Sequence, residues 1–373
     1  MSRLAARSEL MKLARSFEAA PEQLAFLATL PSEALRHLRL ALLDRYHDER
    51  RRLFQRLARV ERWLPLWLTV LIARWWLGPQ LTARLAGVMP AEHAALITRR
   101  LAPEFMAEVA AWLDPRRARE LILLVPVDRI VAVAMAMLAR RDYVTLGRFV
   151  EYVSDEAVRA VGERVEDEGE LLEIVFHVDS KNRLDHLVRV LPQERVRKAI
   201  LIVQDTSRRE LWPKILALVT NVGYELKREL GDLAASQGES VLESIVNVAQ
   251  EEELWEDLLP VVACLSEATQ RQVVNLPVLR EPAVMQRIIG ATDAEGLWTA
   301  MLSLAQWMEE PARASVARVI EELPRAVVER IAYAALLREQ WEVALDIVAR
   351  LTPARQRECL EIVEGYREAA DTE

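Results

Sequence analysis

Prolines punctuate this chain too often for long helices and too regularly for loops. Pro90, Pro103, Pro115 and Pro126 fall 13, 12 and 11 residues apart, and each opens an amphipathic segment of about ten residues. Proline is tolerated in the first turn of a helix, where its missing N–H would have had no partner. Asp114 before Pro115 and Thr352 before Pro353 read as N-caps, whose side chains can take up a free backbone N–H. Similar starts recur at Ser154-Asp155-Glu156, Leu191-Pro192, Asp205-Thr206, Ser266-Glu267, Glu310-Pro311 and Leu323-Pro324.

Between these starts apolar residues return at steps of three and four, which is the helical period. Residues 158–178 and 326–347 are rich in Ala, Leu, Arg and Glu, all strong helix formers. Gly (11) and Pro (16) make up 27 of 373 residues. That is about 7%, where roughly 12% is average, so tight turns are few and an all-β or βαβ chain is disfavoured. With 52% hydrophobic and 28% charged residues the composition is that of a globular chain. A helix of ten residues cannot bury its apolar face alone, but a stack of them can. The expected fold is therefore all-α: an irregular α-solenoid or superhelix of short antiparallel helices, with a longer basic N-terminal helical segment. The length allows one long domain or two to three ordinary ones. Residues 1–82 read as a basic, Trp-rich helical segment and residues 83–373 as a helical repeat domain with a sub-boundary near 230–240.

The recurrent pattern of leucine, proline, acid and leucine runs from Leu101-Ala102-Pro103-Glu104 to Leu113, and from Leu191-Pro192-Gln193-Glu194 to Ile202. It resembles the short-helix superhelical repeats of the MgtE intracellular N-terminal domain and of the flagellar motor-switch protein FliG. The resemblance covers residues 88–205, with fainter echoes at 266–360. It implies the superhelical fold, and on the MgtE side a cytoplasmic, magnesium-responsive regulatory module. It carries no functional residue across.

The net charge of −8 conceals an asymmetry. Residues 1–100 carry 17 Lys+Arg against 9 Asp+Glu, and the remainder 32 against 48. A basic head on an acidic body meets something anionic, or meets the body itself. Arg outnumbers Lys 44 to 5, a bias from which no function is read. Cys264 and Cys359 show no CxxC spacing, so a reducing cytoplasm is expected and a disulfide framework is not. The first 17 residues are basic and amphipathic without a continuous apolar core, so they read as an ordinary first helix rather than a secretory signal, with only a faint likeness to a transit peptide.

The most distinctive segment spans residues 42–80. An apolar seam of Tyr46, Leu53, Leu57, Val60, Leu64, Trp67 and Leu71 is flanked by Arg45, Arg51, Arg52, Arg56, Arg59 and Arg62. Trp63, Trp67, Trp75 and Trp76 place four of the ten tryptophans within 14 residues. The apolar run from Trp63 to Gly78 contains Pro65 and Arg74 and is shorter than the roughly 20 residues a membrane span needs. Three readings fit: a hairpin whose seam packs into the body, a protein-partner or homodimer surface anchored by Trp and Arg, or a helix lying on an anionic membrane. Nucleic acid fits less well, since the acidic body would repel phosphates.

No phosphate loop, dinucleotide fingerprint, HExxH or GxSxG motif is present. His177 and His186 lack ligand spacing. The acidic clusters at 163–173, 251–257 and 309–310 lie near helix starts, where negative charge is favoured. No cofactor, metal ligand or catalytic residue is expected. The functional expectation is a non-enzymatic bacterial cytoplasmic scaffold or adaptor that binds a protein partner through its helical surface. A peripheral membrane protein and a Mg²⁺-responsive module are the alternatives.

Overall fold

Most of the helix starts written into the sequence are found in the structure, a computed structural model that describes residues 3–17, 19–48, 65–202, 205–337 and 341–370. Pro115 instead lies in a turn, and Asp205-Thr206 opens a 3-10 helix, Thr206–Leu211. Ser154 caps its helix by accepting from Ala157 N at 3.3 Å, and Ser266 does the same for Thr269 N at 3.4 Å. Pro103, Pro311 and Pro353 each lie in the first turn of a helix. Asp114 departs from expectation. Its carboxylate accepts from Arg116 N at 3.0 Å inside a turn, and the next helix begins only at Arg119. The buried carboxylate (2% exposed) closes a turn instead of capping a helix.

The chain divides into two compact units, Met1–Ala199 and Ile200–Glu373. The first contains α1 (Arg3–Ser16), α2 (Ser32–Asp48), α3 (Leu66–Ile72), α4 (Gly78–Ala86), α5 (Ala91–Thr98), α6 (Pro103–Trp112) and α7 (Arg119–Leu124). It continues with α8 (Val127–Ala139), α9 (Tyr143–Val150), α10 (Asp155–Arg164), α11 (Glu168–Phe176) and α12 (Lys181–Val190). Helix α13 (Gln193–Leu201) carries the chain on. The second unit contains α14 (Trp212–Asn221), α15 (Tyr224–Ser236), α16 (Glu239–Glu251), α17 (Trp255–Val262), α18 (Glu267–Val274) and α19 (Pro282–Ala294). It ends with α20 (Trp298–Ala305), α21 (Glu310–Glu321), α22 (Arg325–Leu337), α23 (Trp341–Val348) and α24 (Pro353–Ala370). No strand occurs among the described residues. The protein is all-α.

Through most of each unit a helix packs on the one two places along the chain; α1 packs on α2, and α14 reaches three places along to α17. In the first unit α4, α6, α8, α10 and α12 form one row, with α5 on α7 and α9 on α11 in the other. In the second, α17, α19, α21 and α23 form one row, and α18, α20, α22 and α24 the other. This alternation is what a stack of short helices needs, because each buries its apolar stripe between neighbours. Val109 (1% exposed) sits at such a junction, packed with Ala83 of α4. Fully burying a side chain of this kind contributes about 1.5–3 kcal/mol.

Arginines reinforce the stacking. Arg183, in the first turn of α12, donates from Nε to Val150 O (3.2 Å) and from Nη2 to Val153 O (3.0 Å), and its Nη1 pairs with Asp155 (2.7 Å). Those carbonyls belong to the turn that leads into α10, the helix stacked against α12. Arg195 does the same for Gly162 O and Val165 O at 2.5 and 2.7 Å. Arg129 binds Thr98 O and Leu101 O, and Arg355 binds Ile320 O and Leu323 O. Each guanidinium takes up carbonyls that a helix end leaves without an intrahelical partner.

Candidate functional site

Three features of the structure bear on function: an exposed aromatic stripe, a buried ionic cluster and apolar clefts. The stripe lies on α3 and the π-helical turn Ala73–Leu77 that follows it. Thr69 and Ala73 point inward, with Ala73 packed in a core cluster with Ile97 and Leu101. Trp67 (63% exposed), Leu71 (48%), Trp75 (71%) and Trp76 (86%) point outward. Positions 67, 71 and 75 are four apart, which places them on one helix face. The Arg74 guanidinium lies 5.8 Å from the Trp75 ring centroid, within cation–π range. Gly78 ends the turn at φ +69°, where a residue with a Cβ would be strained. The seam reading that packed Trp67 and Leu71 into the body does not hold here, because both face outward. Arg45 is exposed on α2. Arg51, Arg52, Arg56, Arg59 and Trp63 lie outside the described residues.

The ionic cluster escaped the sequence reading altogether. Lys12 Nζ is 3.0 Å from Glu9 and 2.5 Å from Asp179. Arg39, 2% exposed, reaches Glu9 and Asp179, each at 3.0 Å. Arg15 Nη2 meets Asp142 at 2.5 Å, and Asp142 also accepts from Thr145 as the cap of α9. Burial alone would push the Asp179 carboxyl up, but Lys12 and Arg39 reverse this and hold it far below the usual carboxylate range. Asp142 is lowered in the same way, burial being outweighed by Arg15 and Thr145. These groups tie α1 and α2 to the start of α9 and to the turn after α11. Their arrangement is that of a fastening.

The clefts are apolar. In the first unit a cavity of about 150 Å³ is lined by side chains such as Met106, Val133, Phe149 and Leu187, none of them titratable. In the second unit a cavity of about 70 Å³ lies among α19–α24. Trp298 and Met301 form its floor, 6% exposed each, while Leu345 (48%) and Leu360 (46%) stand half-open on its lining. Cys359 also lines it, and burial pushes its thiol pKa up, away from thiolate character.

The histidines do not converge. His177 is 1% exposed at the end of α11, its ring 5.1 Å from that of Phe176, whereas His186 Nε2 sits 2.6 Å from Asp155 on the open face of α12. The acidic clusters are structural where partners are seen: Glu168 pairs with Arg195, Glu170 accepts from Tyr143, and Glu310 pairs with Arg350. Among the described residues no group of three or more His, Cys, Asp or Glu is placed to hold a metal ion. Nor is any helix among them long and apolar enough to cross a membrane.

No family model matches the chain, and no curated protein matches it. A solved crystal structure of an engineered protein aligns over 98% of this chain and 99% of its own, at 15% identity and a TM-score of 0.33. A likeness that slight carries no argument.

Proposed function

We propose that the protein is a non-enzymatic helical-repeat adaptor whose second unit receives a basic amphipathic helix from a protein partner. One observation carries the reading: Leu345 and Leu360 stand half-exposed on an apolar cleft with Trp298 and Met301 as its floor. A helix laid on such a groove inserts apolar anchors at three- and four-residue steps. The sign of the partner follows from charge. Residues 200–373 carry 17 Lys+Arg against 30 Asp+Glu, which favours a Lys- and Arg-rich helix and steers its approach. Asp346, between the lining residues Leu345 and Ile347, is held in ion pairs with Arg313 and Arg350, which supports a binding role over a chemical one. Two free cysteines, Cys264 and Cys359, suit a reducing cytoplasm.

The test is crosslinking with mass spectrometry on the full chain, run beside a Leu345→Asp/Leu360→Asp variant. The reading expects crosslinks from α22–α24 to a Lys- and Arg-rich helical segment of one partner, lost in the variant. Crosslinks that avoid the cleft, or survive its substitution, overturn it.

A further inference from the structure

The tryptophan stripe lies in the first unit, whereas the cleft lies in the second. We infer that Trp67, Leu71, Trp75 and Trp76 form a docking face for an anionic lipid surface, with α3 and its π turn lying in the plane of the headgroups.

The argument begins with exposure. Three tryptophans on one short segment are 63%, 71% and 86% exposed, and Leu71 lies between them. Indole rings favour the boundary between hydrocarbon and water, because the ring is apolar and its N–H is a donor. The helix behind them is anchored to the body through Thr69 and Ala73, so only its outer face is free. A face of this kind can sink to the acyl boundary without any part of the chain crossing the bilayer.

Charge then selects the lipid. Residues 65–100 hold four arginines and a single acid, Glu92. Arg74 is exposed beside Trp75, so a guanidinium accompanies the ring to the depth of the phosphates. Helix α5, packed beside α3, is followed by exposed Arg99 and Arg100. A cation beside an aromatic face suits phosphatidylserine-like headgroups, whose surface attracts each Lys or Arg near it. The excess of positive charge over residues 1–100 has the same sign. A second copy of this basic face would instead repel it.

Vesicle flotation of the full chain tests the inference, using phosphatidylcholine alone and phosphatidylcholine doped with phosphatidylserine. The chain should float with the doped vesicles and not the neutral ones, with a blue shift in tryptophan emission and release at high salt. Trp75→Ala/Trp76→Ala should weaken partitioning at least about tenfold, while circular dichroism and the melting temperature stay unchanged. Arg74→Glu should weaken it as well. Absence of flotation with the doped vesicles overturns the inference, as does equal flotation with neutral ones or by the double variant. A chain that ignores vesicles yet sediments as a dimer, and as a monomer when Trp75 and Trp76 are replaced, overturns it in favour of self-association.

Discussion

Arg39 and Asp179 stand 140 positions apart in the sequence and 3.0 Å apart in the fold. With Lys12 and Glu9 they form a charged knot that is buried or nearly so, and they join the N-terminal helix pair to the turn between α11 and α12. Lys12 and Arg39 offset Glu9 and Asp179, with the buried Arg148 close enough to feel Arg39 and Asp179, so removing Asp179 leaves the cations uncompensated.

Asp179→Asn should therefore destabilise the first unit by about 3–5 kcal/mol, the usual cost of breaking a buried ion pair from one side. Asp155→Ala removes a carboxylate that is 40% exposed and pairs with Arg183 and His186. It should cost no more than about 1 kcal/mol. Urea unfolding of both variants beside the parent chain measures the contrast, and similar losses would show that the knot is no tighter than a surface pair.

The same knot sets an acid limit. Asp179 and Asp142 have carboxyls held below the ordinary value of 3.8. A group lowered on folding contributes stability that is fully present above its unfolded pKa and is lost as the pH falls toward its folded one. Stability should thus be insensitive to these two groups down to about pH 4 and fall below it. Urea midpoints collected from about pH 7 to about pH 3 should show the gap between the parent chain and Asp179→Asn closing at the acid end. A gap constant with pH would remove Asp179 as its source.

Gly147 and Gly290 should respond oppositely to alanine. A Cβ at Gly147 would lie 2.5 Å from Ile174 O and 2.6 Å from His177 Cβ, where α9 passes close to the end of α11. Forcing the two apart should cost about 1–3 kcal/mol. A Cβ at Gly290, in the interior of α19, meets nothing within 4 Å. Alanine there should stabilise by about 0.4–1 kcal/mol through reduced freedom of the unfolded chain. Thermal melts of the two variants give the signs.

Arg183→Lys should destabilise by about 1–3 kcal/mol although the charge is kept. All three guanidinium nitrogens are in use, on Val150 O, Val153 O and Asp155, and a single ammonium cannot reproduce that fork. Faster amide exchange confined to the end of α9 and the start of α12 would locate the loss. An unchanged midpoint would mean the clamp adds nothing.

The helices and their starts were legible in the sequence because caps and first-turn prolines act locally: Ser154 and Ser266 reach N–H groups only three residues on. Asp114 misled because a carboxylate before proline serves a turn as readily as a helix. The knot was illegible for the opposite reason. Lys12 and Asp179 are 167 positions apart, and each looks like an ordinary surface charge until the helices are stacked. The Arg bias carried more than composition suggested, since Arg129, Arg183, Arg195 and Arg355 each hold two carbonyls of a distant turn. An arginine three residues after a cap or proline was the signal that would have found them. Tryptophan count marked the stripe, but spacing alone left open which way it faces, since a period of four suits an inner seam and an outer one equally.

The guanidinium clamps also give the array a parity. Each joins the start of one helix to the entrance of the helix two places earlier. Duplicating or deleting a single helix within a row would exchange the two rows downstream and strand the clamp at the joint. Adding or removing a pair would leave every clamp with its partner, so the clamped stretches favour even steps, and the odd step from α14 to α17 falls where none of these four clamps lies.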